Sequence, residues 1–186
     1  MSTAKIKPRP MLTHLGIHVS DLEPMVGFYQ RVLGLTITDR GRGRNLPEDM
    51  VFLSSSPDIH HQLLLCTGRK SAIEHNHINQ ISFRVKSLEE MQEIARRLAS
   101  EDVSLMMQLD HGNAWSIYFK DLENNTVELY AESPWYVPQP YGRKFDILDP
   151  AEETRAATRK FAEEQEGFKP CEDWAKEMKE EMGVDS

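Results

Sequence analysis

From Leu12 to Val19 the chain alternates: Leu15, Ile17 and Val19 are apolar, while His14, Gly16 and His18 fall between them. Alternation at period two predicts a strand with one apolar and one mixed polar face. Asp21 then precedes Leu22, Met25, Tyr29, Val32 and Leu33, a helical stripe that predicts a helix capped by Asp21 and stopped at Gly34. Strand-like runs follow at 35–38, 50–54 and 62–66, separated by Gly, Pro, Asp and Ser. Between the first two, Arg40-Gly-Arg-Gly-Arg44 reads as a solvated loop, because it lacks the strand-then-helix frame of a phosphate-binding loop.

The same order recurs. His14-Leu-Gly-Ile-His-Val-Ser-Asp-Leu-Glu-Pro-Met25 aligns with Gln80-Ile-Ser-Phe-Arg-Val-Lys-Ser-Leu-Glu-Glu-Met91 at a constant offset of 66, with Val, Leu, Glu and Met repeated. Ser87 and Glu90 form a capping box ahead of a second stripe, Leu88, Met91, Ile94, Ala95 and Leu98. Strands are expected at 104–109, 116–120 and 126–131. An internal repeat outweighs any single motif. The fold class is therefore α+β: two βαβββ modules forming an eight-stranded, open, barrel-like sheet, with a C-terminal helical tail.

Ser116 to Tyr130 reads as a hairpin whose turn, Asp-Leu-Glu-Asn-Asn, holds two residues tolerant of left-handed backbone, Asn124 and Asn125. Alternation sends Val127 and Leu129 to one face and Glu128 to the other. A carboxylate in mid-strand has to be solvated, paired or bound to a metal. The polar faces of the other strands carry His14, Gly16 and His18; Gln80, Ser82 and Arg84; Ser116 and Tyr118; Glu128 and Tyr130. Four strands with polar residues turned toward one concavity describe a site rather than a core.

After the hairpin, Trp135-Tyr-Val-Pro-Gln-Pro-Tyr-Gly142 is an extended, proline-punctuated arm expected to cover the mouth of the concavity. Asp149-Pro150 has the form of a helix start, an acceptor side-chain cap followed by Pro at the first turn, with helices expected at 151–165 and 172–182, the second carrying Trp174 and Met178. These helices should pack on the body or on a second subunit. The boundaries are an N-terminal arm at 1–10, a domain at 11–133 (modules 11–67 and 77–133), and the arm and helices at 134–186.

The net charge of −8 is concentrated in the tail: residues 151–186 hold eleven acidic and six basic side chains. No basic patch with interleaved aromatics is present, which argues against nucleic acid. There is no apolar run long enough for a membrane span, no secretory leader, and two cysteines too few for a disulfide framework, so a reduced, cytoplasmic protein is expected.

The two modules, His14 five residues before Val19-Ser-Asp-Leu22, Phe28-Tyr29, Leu33-Gly34 and the closing Val127-Glu-Leu-Tyr130 resemble the vicinal oxygen chelate superfamily. Three further stretches resemble single-domain type I extradiol ring-cleavage dioxygenases: His60-His-Gln-Leu-Leu-Leu65, Asp110-His-Gly112 ahead of Ser-Ile-Tyr118, and the Pro-Trp-Tyr-Val-Pro-Gln-Pro arm. The resemblance implies metal ligands at His14, Gln80 and Glu128, holding Fe(II) or, alternatively, Mn(II) or another divalent metal. It also implies His61 as the base, and Tyr118 and His111 as groups that steady the reacting oxygens. Substrates would be an aromatic 1,2-diol and dioxygen.

Gln80 departs from the pattern, since ring-cleaving members have a second His there; an amide oxygen is a weaker, neutral donor that favours hard, oxygen-rich coordination. His75 and His77 are nearby substitutes, although His77 is an odd number of residues from Gln80 and so faces away in a regular strand. Two alternatives stay open. One is a glyoxalase-like isomerase or lyase, to which Gln is a familiar ligand but which wants a carboxylate that 62–66 lacks. The other is a non-catalytic binding protein with a degraded metal site. Edge strands and apolar surface left by a lone pair of modules imply a homodimer.

Overall fold

The computed structural model describes residues 10–42, 48–70 and 78–183. They fall into two compact units, one within 1–73 and the other within 74–186.

The first unit is β1 (Leu15–Val19), α1 (Leu22–Leu33), β2 (Thr36–Arg42), β3 (Asp49–Ser54) and β4 (Leu63–Thr67). Its sheet has the order β1-β4-β3-β2, with β1 parallel to β4 and the other pairs antiparallel. The alternating residues Ile17, Val19, Val51, Leu53, Leu63 and Leu65 are buried, as are Met25, Val26, Phe28, Tyr29 and Val32 of α1. Gly34 ends α1 in the left-handed conformation (φ 68°), and its N–H closes on Gln30 O at 3.0 Å.

Three expectations need correction here. The first strand begins at Leu15, not Leu12, whose side chain is exposed. The Asp21 side chain makes no capping bond. Arg40, Gly41 and Arg42 are not loop but the end of β2, paired with Val51, Met50 and Asp49. Backbone pairing to β3 does not need apolar side chains, and Arg40 is held by Glu23 through Nη1–Oε1 at 2.6 Å. Gly43 and Arg44 lie outside the described residues.

The second unit repeats the order with β5 (Ile81–Val85), α2 (Leu88–Ser100), β6 (Leu105–Asp110), β7 (Ala114–Lys120) and β8 (Thr126–Glu132). The tail adds β9 (Trp135–Tyr136), β10 (Arg143–Lys144), α3 (Ala151–Glu163), β11 (Lys169–Pro170) and α4 (Cys171–Met182). The main sheet runs β10-β6-β7-β8-β5, with β5 parallel to β8, and neither this sheet nor that of the first unit is closed. The fold is thus the expected α+β pair of modules, with one strand from the tail added to the second sheet.

Local chemistry accounts for these elements. Ser87 Oγ accepts the Glu90 N–H at 3.2 Å, and Glu90 reaches back to the Lys86 N–H at 2.7 Å, one residue earlier than the usual capping box. In the hairpin turn Asp121 Oδ1 accepts the N–H groups of Glu123 (3.0 Å) and Asn125 (2.8 Å), and Asn124 takes the left-handed turn position (φ 64°). At α3 the expected Asp149 side-chain cap is not made. Pro150 occupies the cap position, and the Asp149 carbonyl instead accepts from Gln92 Nε2 at 2.8 Å. α3 is anchored by Thr158, which receives Trp115 Nε1–H at 2.7 Å, and α4 by Trp174, stacked on Tyr136 with centroids 5.3 Å apart.

Candidate functional site

In the second unit the sheet registers bring the predicted polar face together. Ser82 pairs with Glu128 across β5 and β8, and Tyr118 pairs with Glu128 across β7 and β8. Gln80 immediately precedes β5, on the same side as Ser82. The result is a carboxylate only 7% exposed, contacted through both of its oxygens. Oε2 accepts from Gln80 Nε2 at 2.6 Å and from the Ser82 hydroxyl; Oε1 accepts from Tyr118 Oη at 2.6 Å.

The chain of contacts continues outward. Tyr118 Oη lies 3.1 Å from His111 Nε2, and His111 Nδ1 lies 2.7 Å from the carbonyl of Tyr141 in the arm. A carbonyl only accepts, so Nδ1 carries a proton there. Tyr118 has one hydroxyl proton and two partners, so its donation to Glu128 requires a donor at His111 Nε2, and its donation to His111 requires a proton on Glu128. The line Glu128–Tyr118–His111 can therefore hand a proton along. Burial, then the hydrogen bond to Glu128 and its charge, push the Tyr118 phenol well above its ordinary value, so it remains a phenol at neutral pH. At the rim, Arg84 and Glu132 form an exposed ion pair at 3.0 Å.

No ion pair to Glu128 is present among the described residues. A buried carboxylate met only by an amide, a hydroxyl and a phenol is an arrangement that leaves its charge without a counter-charge. Glu128, expected as a metal ligand, is thus met at both carboxylate oxygens by protein groups. Ser82 was on the predicted face but was not singled out; its place two residues after Gln80 was the available signal.

The first unit holds the remaining predicted residues. The rings of His14 and His61 are 4.2 Å apart at 47°, and Phe52 meets His61 edge-on at 5.1 Å. His60 has its Nδ1 2.9 Å from Nδ1 of His61, so one of the two nitrogens donates to the other. Burial, followed by the proximity of His14 and His60, pushes the His61 imidazole below its ordinary value and keeps it neutral, able to accept a proton at neutral pH. His75 and His77 lie outside the described residues. Among the described residues no group of three or more His, Cys, Asp or Glu side chains is placed to hold a metal, and none of the helices is long and apolar enough to cross a membrane.

The family model for the Glyoxalase/Bleomycin resistance protein/Dioxygenase superfamily matches residues 11–129, and the chain belongs to that superfamily. Among solved structures, a glyoxylase/bleomycin resistance protein/dioxygenase domain from Frankia sp. EAN1pec is 20% identical, with a TM-score of 0.58 over 68% of this chain and 94% of its own. The fosfomycin resistance protein FosX from Listeria monocytogenes, complexed with Mn(II) and a sulfate ion, is 21% identical, with a TM-score of 0.53 over 68% of this chain and 95% of its own. These likenesses are of fold. No curated protein matches the chain.

Proposed function

We propose that this chain is a metal-dependent enzyme of the ring-cleaving kind, acting on an aromatic 1,2-diol with dioxygen. The observation that carries the reading is Glu128: a buried carboxylate with no counter-ion among the described residues, tied through Tyr118 to an imidazole. The groups gathered there would fit a divalent cation once the Gln80 amide, whose Nε2 donates to Glu128 here, turns its oxygen inward to join the Glu128 carboxylate and the Ser82 hydroxyl as hard oxygen ligands. In this reading His14, Gln80 and Glu128 hold Fe(II), with Mn(II) as the alternative; that Mn(II) accompanies FosX on the same fold supports a divalent metal. When bound, such a cation would supply Lewis acidity toward the diol oxygens.

The protein's own residues divide the remaining work. His61, kept neutral by its surroundings, takes a proton from one diol hydroxyl. Tyr118, kept protonated by burial, donates to a substrate oxygen, and His111 replaces or receives the proton that Tyr118 shares. The ring bond beside the hydroxyls breaks, and both atoms of dioxygen enter the ring-opened product. Anaerobic reconstitution with Fe(II), followed by oxygen and a panel of catechols, should give stoichiometric oxygen uptake and a coloured ring-opened product. No uptake across the panel would reject the reading.

One observation favours a second reading, a binding protein without catalysis. Glu128 Oε2 already accepts from Gln80 Nε2 and Ser82, so the carboxylate is solvated by protein groups as it stands. Protein purified without chelators but lacking stoichiometric metal, with ligand affinity unchanged by Glu128→Ala, would select this reading. A glyoxalase-like isomerase or lyase would instead show Ni(II) or Zn(II) and no redox activity. In each reading the protein is proposed to work as a cytoplasmic homodimer.

A further inference from the structure

Residues 130–186 lie beyond the stretch that the family model matches, yet they hold one member of the candidate site. His111 sits in the turn between β6 and β7, its N–H donating to Ala114 O at 2.8 Å. Its ring is fixed at both nitrogens, by Tyr141 O and by Tyr118 Oη. What holds the Tyr141 carbonyl in place is the side chain of Gln139. Gln139 Nε2 donates to His111 O at 2.9 Å, to Val137 O at 3.1 Å and, more distantly, to Asn113 Oδ1 at 3.3 Å; its Oε1 accepts the Tyr141 N–H at 3.0 Å. Two carbonyls on one side and an N–H on the other leave the amide a single orientation. One side chain thus ties the backbone of His111 to the backbone of the residue whose carbonyl receives the His111 ring.

The surroundings make this clamp rigid on the side away from Gln139. Asp110, the residue before His111, is 1% exposed and accepts from the Gly112 N–H (2.9 Å), Arg143 Nη2 (2.6 Å) and Thr158 Oγ1 (2.8 Å). Arg143 belongs to β10 and Thr158 to α3, so both sides of the turn are held by the tail. Gly112 has φ 74°, and a Cβ there would meet Val137 Cγ2 at 2.6 Å, which shows how closely the arm lies on the turn.

We propose that Gln139 is a positioning residue: it aligns the Tyr141 carbonyl with His111 Nδ1, keeps a proton on Nδ1, and so aims Nε2 at Tyr118. The consequence for catalysis rests on the role given to His111 above, whereas the positioning itself does not. The amide is exposed and touches only backbone and Asn113, so its removal leaves the fold intact.

The test is long-range proton–nitrogen NMR on the full chain labelled at histidine, without metal, with the His111 signals identified by their loss in His111→Gln. The wild type should show a proton fixed on Nδ1 at this position. Gln139→Ala should convert it to the averaged or Nε2–H pattern of an untethered histidine. Gln139→Glu, which places a carboxylate oxygen against the His111 and Val137 carbonyls, should do the same while circular dichroism stays unchanged. An Nδ1–H signal that persists in both variants overturns the proposal. On the reconstituted protein, kcat should fall roughly 10- to 100-fold in Gln139→Ala with KM little altered. A changed His111 signal with undiminished turnover keeps the positioning and rejects the catalytic role assigned to His111.

Discussion

Tyr118→Phe removes one oxygen and leaves the ring, so it isolates the hydroxyl at the centre of the site. That oxygen donates to a buried carboxylate at 2.6 Å and contacts His111 Nε2 at 3.1 Å. A hydrogen bond to a charged group contributes about 1.5–3 kcal/mol, and a buried acceptor left unsatisfied costs a similar amount. Glu128 keeps Gln80 and Ser82 at Oε2, which limits the damage. The expected loss is therefore about 2–3 kcal/mol, or roughly 4–12 °C in Tm for a chain of this length.

The assay is urea and thermal unfolding of metal-free protein followed by circular dichroism. A variant within about 0.5 kcal/mol of wild type, the scale of an ordinary surface substitution, would refute the geometry described. The pH dependence gives a second arm. The folded phenol holds its proton to higher pH than the unfolded one, which titrates near 10, so above about pH 10 the folded state binds more protons and loses stability as pH rises. The wild-type advantage over Tyr118→Phe should shrink between pH 10 and 11. An advantage that stays constant across that interval would contradict the raised phenol.

Two further outcomes follow from the same structure. Thr158→Val should destabilise by about 2–4 kcal/mol in denaturant unfolding, because it strands the Trp115 N–H and takes a donor from Asp110, all within a site no more than 2% exposed. Gln80→His should tighten Fe(II) binding at least roughly tenfold by titration calorimetry under anaerobic conditions, since imidazole is the stronger donor to a first-row metal; an unchanged affinity would mean that Gln80 does not touch the metal.

Much of the architecture was legible because two independent periodicities agreed. The 66-residue offset aligned β1–α1 with β5–α2, and period-two alternation placed Gln80, Ser82, Tyr118 and Glu128 on one face before any register was known. The site contacts follow from that face, since registered neighbours across β5, β8 and β7 bring these side chains within hydrogen-bonding reach.

What was not legible depends on partners distant in the chain. Arg40–Arg42 lack an apolar signal, and only pairing with Asp49–Val51 makes them a strand. β9, β10 and β11 are two residues each, defined by β11, β6 and β9 respectively. The donors to Asp110 and the two-way amide of Gln139 likewise involve residues up to 48 positions away, and short polar side chains carry no periodicity that would announce them. The Asp149 cap failed because the helix starts one residue later, with Pro150 at the cap position.

Whether the buried carboxylate at Glu128 holds a cation separates the metal-dependent reading from the binding-protein reading. Metal analysis by plasma mass spectrometry, on protein purified without chelators, addresses this directly when wild type and Glu128→Gln are compared. The prediction is close to one divalent metal per chain in the wild type and a loss of most of it in the variant, with both proteins folded. Wild-type protein devoid of metal even after incubation with Fe(II) or Mn(II), or equal metal content in the two proteins, would contradict it.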